Sequence, residues 1–211
     1  MNKELFLEEC KKMNIEITDS QLKQLDQFYH LMLEWNEKIN LTRITEEQDV
    51  YLKHFYDSLT LNKAVNLKEV QTLCDVGTGA GFPGIVLKIV FPNLKVTLID
   101  SLLKRVNYLN EVIKTLNLKE IEAIHARGED YKGQFDVVTS RAVANIEKLV
   151  DYTMHLVSKD GVFVAMKGNI EEELSSEVKT RLEKKYEIKQ MISFKLPIED
   201  SNRNLIVMKK K

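Results

Sequence analysis

Apolar residues in the first quarter of the chain recur at steps of three and four. Leu22, Leu25, Phe28, Met32 and Ile39 fall on one stripe of a helix. Just before it, Thr18-Asp19-Ser20-Gln21 has the form of a capping box, in which the Thr18 hydroxyl accepts from the Gln21 amide while the Gln21 side chain reaches back. Thr45-Glu46-Glu47-Gln48 repeats the form and predicts a second helix, with Leu52, Phe55 and Leu59 on one face and His54, Asp57 and Ser58 on another. All eight glycines and all three prolines lie beyond residue 76, so no strong breaker interrupts this region. After Asn66 the period changes. Short apolar runs at 72–76, 95–99, 121–125, 135–140 and 161–166 alternate with amphipathic stretches at 82–91, 102–116, 145–157 and 171–185, the form of βα units and a mostly parallel sheet. Two final runs, 187–194 and 205–208, flank a polar loop at 198–204 and predict an antiparallel hairpin. The expected organisation is a small helical lobe over residues 1–66 followed by an α/β domain over 67–211.

Composition narrows this little. A chain of 211 residues, 44% hydrophobic and 30% charged, suits one substantial globular domain with a smaller lobe and a single active site. Cys10 and Cys74 are too few and too far apart for a disulfide framework or a zinc cluster, and the four histidines show no metal-ligand spacing, so no metal is expected. Charges interrupt the N-terminus from the start, and the longest apolar stretch, 85–91, is broken by Lys88, so neither a leader nor a membrane span is expected and the cytoplasm is the expected compartment. The net charge of −1 divides into −4 for residues 1–70 (9 Lys and Arg against 13 Asp and Glu) and +3 for 71–211 (22 against 19). That is too weak a bias to indicate a nucleic-acid partner by itself.

The chemistry begins at Leu73-Cys74-Asp75-Val76-Gly77-Thr78-Gly79-Ala80-Gly81-Phe82-Pro83-Gly84, a strand running through glycines into a helix, with Pro83 suited to the first turn. Gly77, Gly79 and Gly81 let a backbone turn tightly and approach a ligand closely, which marks a nucleotide-cofactor loop. Gly79-x-Gly81-x-x-Gly84 also fits a dinucleotide fingerprint, so NAD is a candidate. Asp75 favours S-adenosylmethionine, because a carboxylate at the strand end repels a pyrophosphate and attracts an ammonium and a sulfonium. Asp100, nineteen residues beyond Gly81 at the end of the next run, can accept both ribose hydroxyls of either cofactor.

These residues, together with Trp35-Asn36-Glu37-Lys38-Ile39-Asn40-Leu41-Thr42, His54-Phe55-Tyr56-Asp57-Ser58-Leu59 and Val137-Val138-Thr139-Ser140-Arg141-Ala142-Val143-Ala144, closely resemble the bacterial small-subunit ribosomal RNA methyltransferase G family, over nearly the whole chain. The resemblance implies a class I S-adenosylmethionine-dependent methyltransferase fold: a Rossmann-like α/β domain with a seven-stranded, mostly parallel sheet whose last strand is antiparallel, preceded by a helical lobe. It further implies methylation of guanine N7 in the decoding-region loop of 16S ribosomal RNA; the sequence leaves open whether naked RNA, a partly assembled particle or the intact small ribosomal subunit is the substrate, and a monomer is expected. Methyltransferases of another RNA, a protein or a small molecule are the alternative. In the family, the residues matching Gly77, Phe82, Gly128, Glu129 and Arg141 contact the cofactor. Alanine usually stands where this chain has Gly128, and the glycine is expected to loosen that loop.

Other constellations have two readings. His54, Asp57 and Ser58, at i, i+3 and i+4, project side by side and cannot converge as a hydrolase triad; they form either a hydrogen-bond cluster against the glycine loop or a substrate-facing surface. Arg141, in a polar pause after the fourth run, is the candidate catalytic residue, positioning either the cofactor carboxylate or a target phosphate with its planar fork. Lys167, after the fifth run, is similarly placed. No general base is expected, since guanine N7 carries a lone pair and no proton. Phe28 and Trp35 sit on a helical stripe, which favours core packing over base stacking.

Overall fold

The computed structural model describes residues 1–141, 145–171 and 173–211. Ala142, Val143 and Ala144, the end of the Arg141 motif, lie outside the described residues, as does Glu172 within the predicted 171–185 helix.

Helix α1 (Lys3–Lys12) is followed by α2 (Asp19–Ile39), which opens with the expected capping box at Thr18 and Gln21 and closes at Asn40 in a left-handed conformation. The second predicted box does not form. Helix α3 (Glu47–Val50) has Glu46 at its N-cap with no side-chain capping bond; the Thr45 carbonyl accepts from Tyr29 and the Gln48 carbonyl from the chain's N-terminal amine. Tertiary contacts, not a local box, fix this end. The chain then widens into a π-helical turn (Tyr51–Tyr56), tightens into α4 (Asp57–Leu59), and ends in a 3₁₀ turn (Thr60–Lys63).

Strands β1 (Thr72–Val76), β2 (Lys95–Asp100), β3 (Ile121–His125), β4 (Phe135–Arg141), β5 (Val157–Lys167), β6 (Tyr186–Lys195) and β7 (Asn202–Lys210) form one sheet of order β3-β2-β1-β4-β5-β7-β6. The first five are parallel, and β7 runs antiparallel to both β5 and β6. Helices α5 (Gly84–Val90), α6 (Leu103–Thr115), α7 (Ile146–Thr153) and α8 (Ser176–Lys185) complete the α/β frame. Pro83 stands at the N-cap of α5, one residue earlier than the sequence reading placed it.

The period of two sorts the strand residues between two cores. Leu73, Val164, Met166, Leu205 and Val207 face α5, α6 and the N-terminal helices, while Cys74, Phe163, Ala165, Ile206 and Met208 face α7 and α8. Phe6, Phe28 and Phe55 of the N-terminal segment share a continuous core with Ile85 of α5 and Leu109 of α6. Lys88, which broke the longest apolar run, is buried and donates to the carbonyls of Pro92 and Leu94, closing the turn after α5. No described helix is long and apolar enough to cross a membrane.

Candidate functional site

The loop after β1 carries the backbone chemistry. Gly77, Gly79 and Gly81 all have positive φ, the conformation that side chains other than glycine resist. A Cβ at Gly79 would meet nothing nearer than the Gly77 carbonyl at 4.0 Å, so its face is open, whereas one at Gly81 would run into Ile85 at 2.7 Å. Gly79 is therefore spaced for a visitor and Gly81 for the core.

Asp75 lies beneath this loop. Its Oδ2 accepts from the Thr78 hydroxyl at 2.7 Å and the Gly84 amide at 2.8 Å, pinning both ends of the loop, while Oδ1 is buried without a hydrogen bond. Burial raises its pKa to about 6, against the opposing effects of those two donors and Arg141. The expectation that Asp75 meets a cationic ligand directly is thus replaced: it lines neither cavity described below, and acts by shaping the loop.

Two cavities open at the C-terminal edge of the sheet, where ligands of α/β proteins bind. The first, about 290 Å³, is lined by Val76, Gly77, Ile99, Asp100, Ala126, Gly128, Glu129, Leu149 and Tyr152. Asp100 is buried, with Oδ2 accepting from the Gly79 amide at 2.9 Å and Oδ1 from the Leu102 amide at 2.9 Å. Oδ1 keeps a further lone pair for a ribose hydroxyl, while Oδ2 also receives the Arg105 guanidinium at 3.4 Å. Apolar walls, an acid at the end of β2 and exposed glycine backbone fit the adenosine part of S-adenosylmethionine. Gly128 begins a 3₁₀ turn (Gly128–Asp130) and is tightly held: a Cβ there would meet Val76 at 2.7 Å and the Tyr152 carbonyl at 3.2 Å. The glycine is a packing requirement, which corrects the expectation of a looser loop. Glu129 reaches outward toward Arg127 at 3.9 Å.

The second cavity, about 340 Å³, is lined by Lys53, His54, Asp57, Thr60, Arg141, Lys167, Gly168, Arg203 and Asn204, with Ile44, Met166 and Leu205. Arg141 ends β4 and faces the π-helical turn. Its guanidinium donates to the Lys53 carbonyl at 2.9 Å, Asp57 Oδ2 at 3.1 Å and His54 Nδ1 at 3.1 Å. A guanidinium only donates, so Nδ1 accepts, and the ring proton sits on Nε2, which donates to the Thr42 hydroxyl at 3.0 Å. Burial, and then the charge of Arg141, lower the His54 pKa to about 3. The His54 ring stacks on Phe82 at 4.3 Å between centroids, and Arg141 lies over the same ring at 5.3 Å.

Of the residues expected at the site, Gly77, Asp100, Gly128 and Glu129 meet in one cavity, and His54, Asp57, Arg141 and Lys167 in the other. The side chains of Phe82 and Gly81's neighbours instead tie the loop to the core, Phe82 packing on Phe28 at 5.3 Å. The hydrogen-bond reading of the His54 cluster describes what is seen: His54 and Asp57 are joined through Arg141, His54 stacks against Phe82 of the glycine loop, and both line a cavity. Ser58 does not join them; its hydroxyl donates back to the His54 carbonyl at 2.6 Å. Lys167 is buried and paired with Glu173 at 2.9 Å. Phe28 is fully buried, and Trp35 packs on Tyr108 at 5.8 Å. Sequence reasoning missed Thr42's partnership with His54 and all of Arg203, whose Nε donates to Asp57 Oδ1 at 2.9 Å. The only prior signal for Thr42 was its motif, in which Asn36 Oδ1 accepts from the Thr42 amide at 2.8 Å; Arg203 had none.

The sheet order, the antiparallel last strand and the glycine loop beside an acid-tipped β2 define an S-adenosylmethionine-dependent methyltransferase. Solved structures agree at the level of fold: a SAM-dependent methyltransferase from Aquifex aeolicus superposes with a TM-score of 0.59 at 21% identity over 77% of this chain and 93% of that one. A ribosomal protein L11 methylase from Lactobacillus delbrueckii subsp. bulgaricus gives 0.56 at 17% identity, over 80% and 81%. The family model for rRNA small subunit methyltransferase G matches residues 21–206. The ribosomal RNA small subunit methyltransferase G of Bacillus licheniformis is 45% identical over all of this chain and 91% of its own length, and that of Thermoanaerobacter sp. is 46% identical over 98% and 89%. The chain belongs to the rRNA small subunit methyltransferase G family, and is an S-adenosylmethionine-dependent ribosomal RNA methyltransferase.

Proposed function

We propose that the enzyme methylates N7 of a guanosine in the decoding-region loop of 16S ribosomal RNA, with Gly77, Gly79, Asp100, Gly128 and Glu129 holding the cofactor and Arg141 positioning the reactants. The observation that carries this reading is that, among the described residues, His54 and Asp57, the groups of the second cavity best suited to act as a base, are engaged. The His54 Nδ1 lone pair accepts from Arg141, its Nε2 proton is given to Thr42, and both Asp57 oxygens accept from arginines. Cys10 and Cys74 are buried away from both cavities, so neither serves as a nucleophile.

Bound S-adenosylmethionine supplies an electrophilic methyl on a sulfonium. Guanine N7 presents an in-plane lone pair and no proton, so the protein has no proton to remove. What remains for Arg141 and the cavity is orientation, which in well-aligned systems contributes roughly 7–11 kcal/mol. We further propose that residues 1–66 act as a helical lobe whose 47–63 segment forms the substrate-facing wall, and that the enzyme works as a monomer.

Single-turnover rates on small-subunit RNA at saturating cofactor, from about pH 6 to 9, test the reading. The expected profile is flat, since His54 stays neutral throughout. A tenfold rise per pH unit would establish a titrating base and exclude N7 as the acceptor.

A further inference from the structure

Arg203 comes from β7, 146 residues after Asp57 in the chain, yet the two meet in a buried ion triad with Arg141. Asp57 sits at its centre, its side chain 7% exposed, with Oδ2 on Arg141 and Oδ1 on Arg203. We propose that Arg203 is a positioning residue for methyl transfer, acting through Asp57 to hold the Arg141 guanidinium in one orientation. This deepens the proposed function, and rests on Arg141 being the group that meets the reactants.

Arg141 makes three bonds in a fixed fan, to the Lys53 carbonyl, to Asp57 Oδ2 and to His54 Nδ1. Without Arg203, Asp57 Oδ1 becomes a buried charged acceptor with no donor, an arrangement that is strongly unfavourable. The nearest remaining cation is Arg141 itself, and its fork can pair both oxygens of one carboxylate. Drawing Arg141 into that bidentate pair would break its bond to His54 or to Lys53 and turn its free N–H groups away from the cavity. Arg203 removes the competing geometry by occupying Oδ1 first. Arg203 is itself held, since its Nη1 donates to the Asn202 carbonyl at 2.9 Å on the same strand. The protein uses the end of the chain to fix a side chain at the centre of the sheet.

The test is a double-mutant cycle on the full-length protein, with Arg203→Met, Arg141→Ala and the pair. Methyl transfer from labelled S-adenosylmethionine to small-subunit ribosomal RNA is measured in single turnover, with unfolding temperature as the control for folding. Arg203→Met is expected to slow transfer by roughly 10²-fold, the scale of a misplacement of about 1 Å, and Arg203→Lys to recover most of that loss because an ammonium still pairs with Oδ1. In the Arg141→Ala background, Arg203→Met should add almost nothing. An equal loss in both backgrounds would show that Arg203 contacts substrate or merely supports the fold, and would overturn the proposal. So would a wild-type rate in folded Arg203→Met. Should Arg203→Met not fold, the same cycle run with Arg203→Gln, which stays polar but carries no charge to pair with Oδ1, decides on the same criterion. A wild-type rate in Arg141→Ala alone would instead overturn the underlying role of Arg141.

Discussion

Replacing Asp75 with asparagine should make the protein more stable relative to wild type as pH rises. Asp75 is wholly buried, and its carboxyl is pushed up to about 6 from an ordinary 3.8, burial being the main cause. Between those values the folded protein holds a proton that the unfolded chain has released, so wild-type stability from this group falls with rising pH and levels off above about 6. The gap of roughly two pH units, at about 1.4 kcal/mol each, comes to roughly 3 kcal/mol. Asparagine keeps an acceptor for Thr78 and Gly84, and places its amide where Oδ1 has no partner. That unpaired amide costs about 1–3 kcal/mol, but at every pH alike. His54 works in the opposite direction, since its folded pKa of about 3 lies below 6.5 and its contribution is lost as pH falls; both proteins contain it, so it cancels in the difference. Urea unfolding of the two proteins from about pH 4 to 7 should show the stability difference moving toward the variant by roughly 3 kcal/mol. A difference that stays constant across that range would mean that Asp75 titrates as an ordinary carboxylate, and the burial argument would fail.

Gly128→Ala should destabilise by about 1–3 kcal/mol, as expected for overpacking, because its Cβ would meet Val76 at 2.7 Å; thermal unfolding measures it, and pairing it with Val76→Ala should recover most of the loss. Gly79→Val should lower stability by about 1–2 kcal/mol through its positive φ alone, while calorimetry should find cofactor binding abolished as the open face fills. Arg141→Ala should slow methyl transfer strongly with the fold intact, and Arg141→Lys should rescue poorly, because an ammonium cannot make the three divergent bonds of the guanidinium.

Legibility followed the range of the interaction. The strands were legible because a period of two is local: Leu73 and Cys74, or Phe163 and Val164, announce opposite faces without reference to distant residues. The Thr18 capping box was legible for the same reason, and the Thr45 box misled because the helix starts one residue later, with Glu46 at its N-cap and no side-chain capping bond, at an end that Tyr29 and the N-terminal amine hold from elsewhere in the fold. Glycines told where the loop turns, but not what each was for. Gly79 leaves space and Gly81 makes contact, a distinction that depends on Ile85 and Leu109 lying opposite. Asp75 was read as facing the ligand because strand-end acids can do so. The register that turns it under α5 toward the Gly84 amide appears only once helix and strand pack.

The chain's net charge of −1 gave no hint of a polyanionic substrate, and the structure explains how such a chain can still receive one. Charge is sorted, not added. Lys53, Arg141, Lys167 and Arg203 line the second cavity, with Asp57 as the single lining carboxylate among the described residues. Glu199 and Glu173 pair with Lys53 and Lys167 from outside that lining, so the acids that balance the sum stand behind the cations. The π-helical turn makes this arrangement possible. It shifts the backbone bonds so that the Asp57 amide reaches the Leu52 carbonyl, and within it the Lys53 carbonyl accepts from Arg141. A backbone carbonyl, a neutral histidine and one shared carboxylate thus hold a guanidinium near the centre of the sheet edge without cancelling its field. Within the triad two arginines share one aspartate, in a partly buried setting where salt screens charge less, while Asp49 and Glu199, both paired with Lys53, stay out of the lining. On the proposed function, the attraction for a phosphate-bearing partner is local to the place where the base is presented.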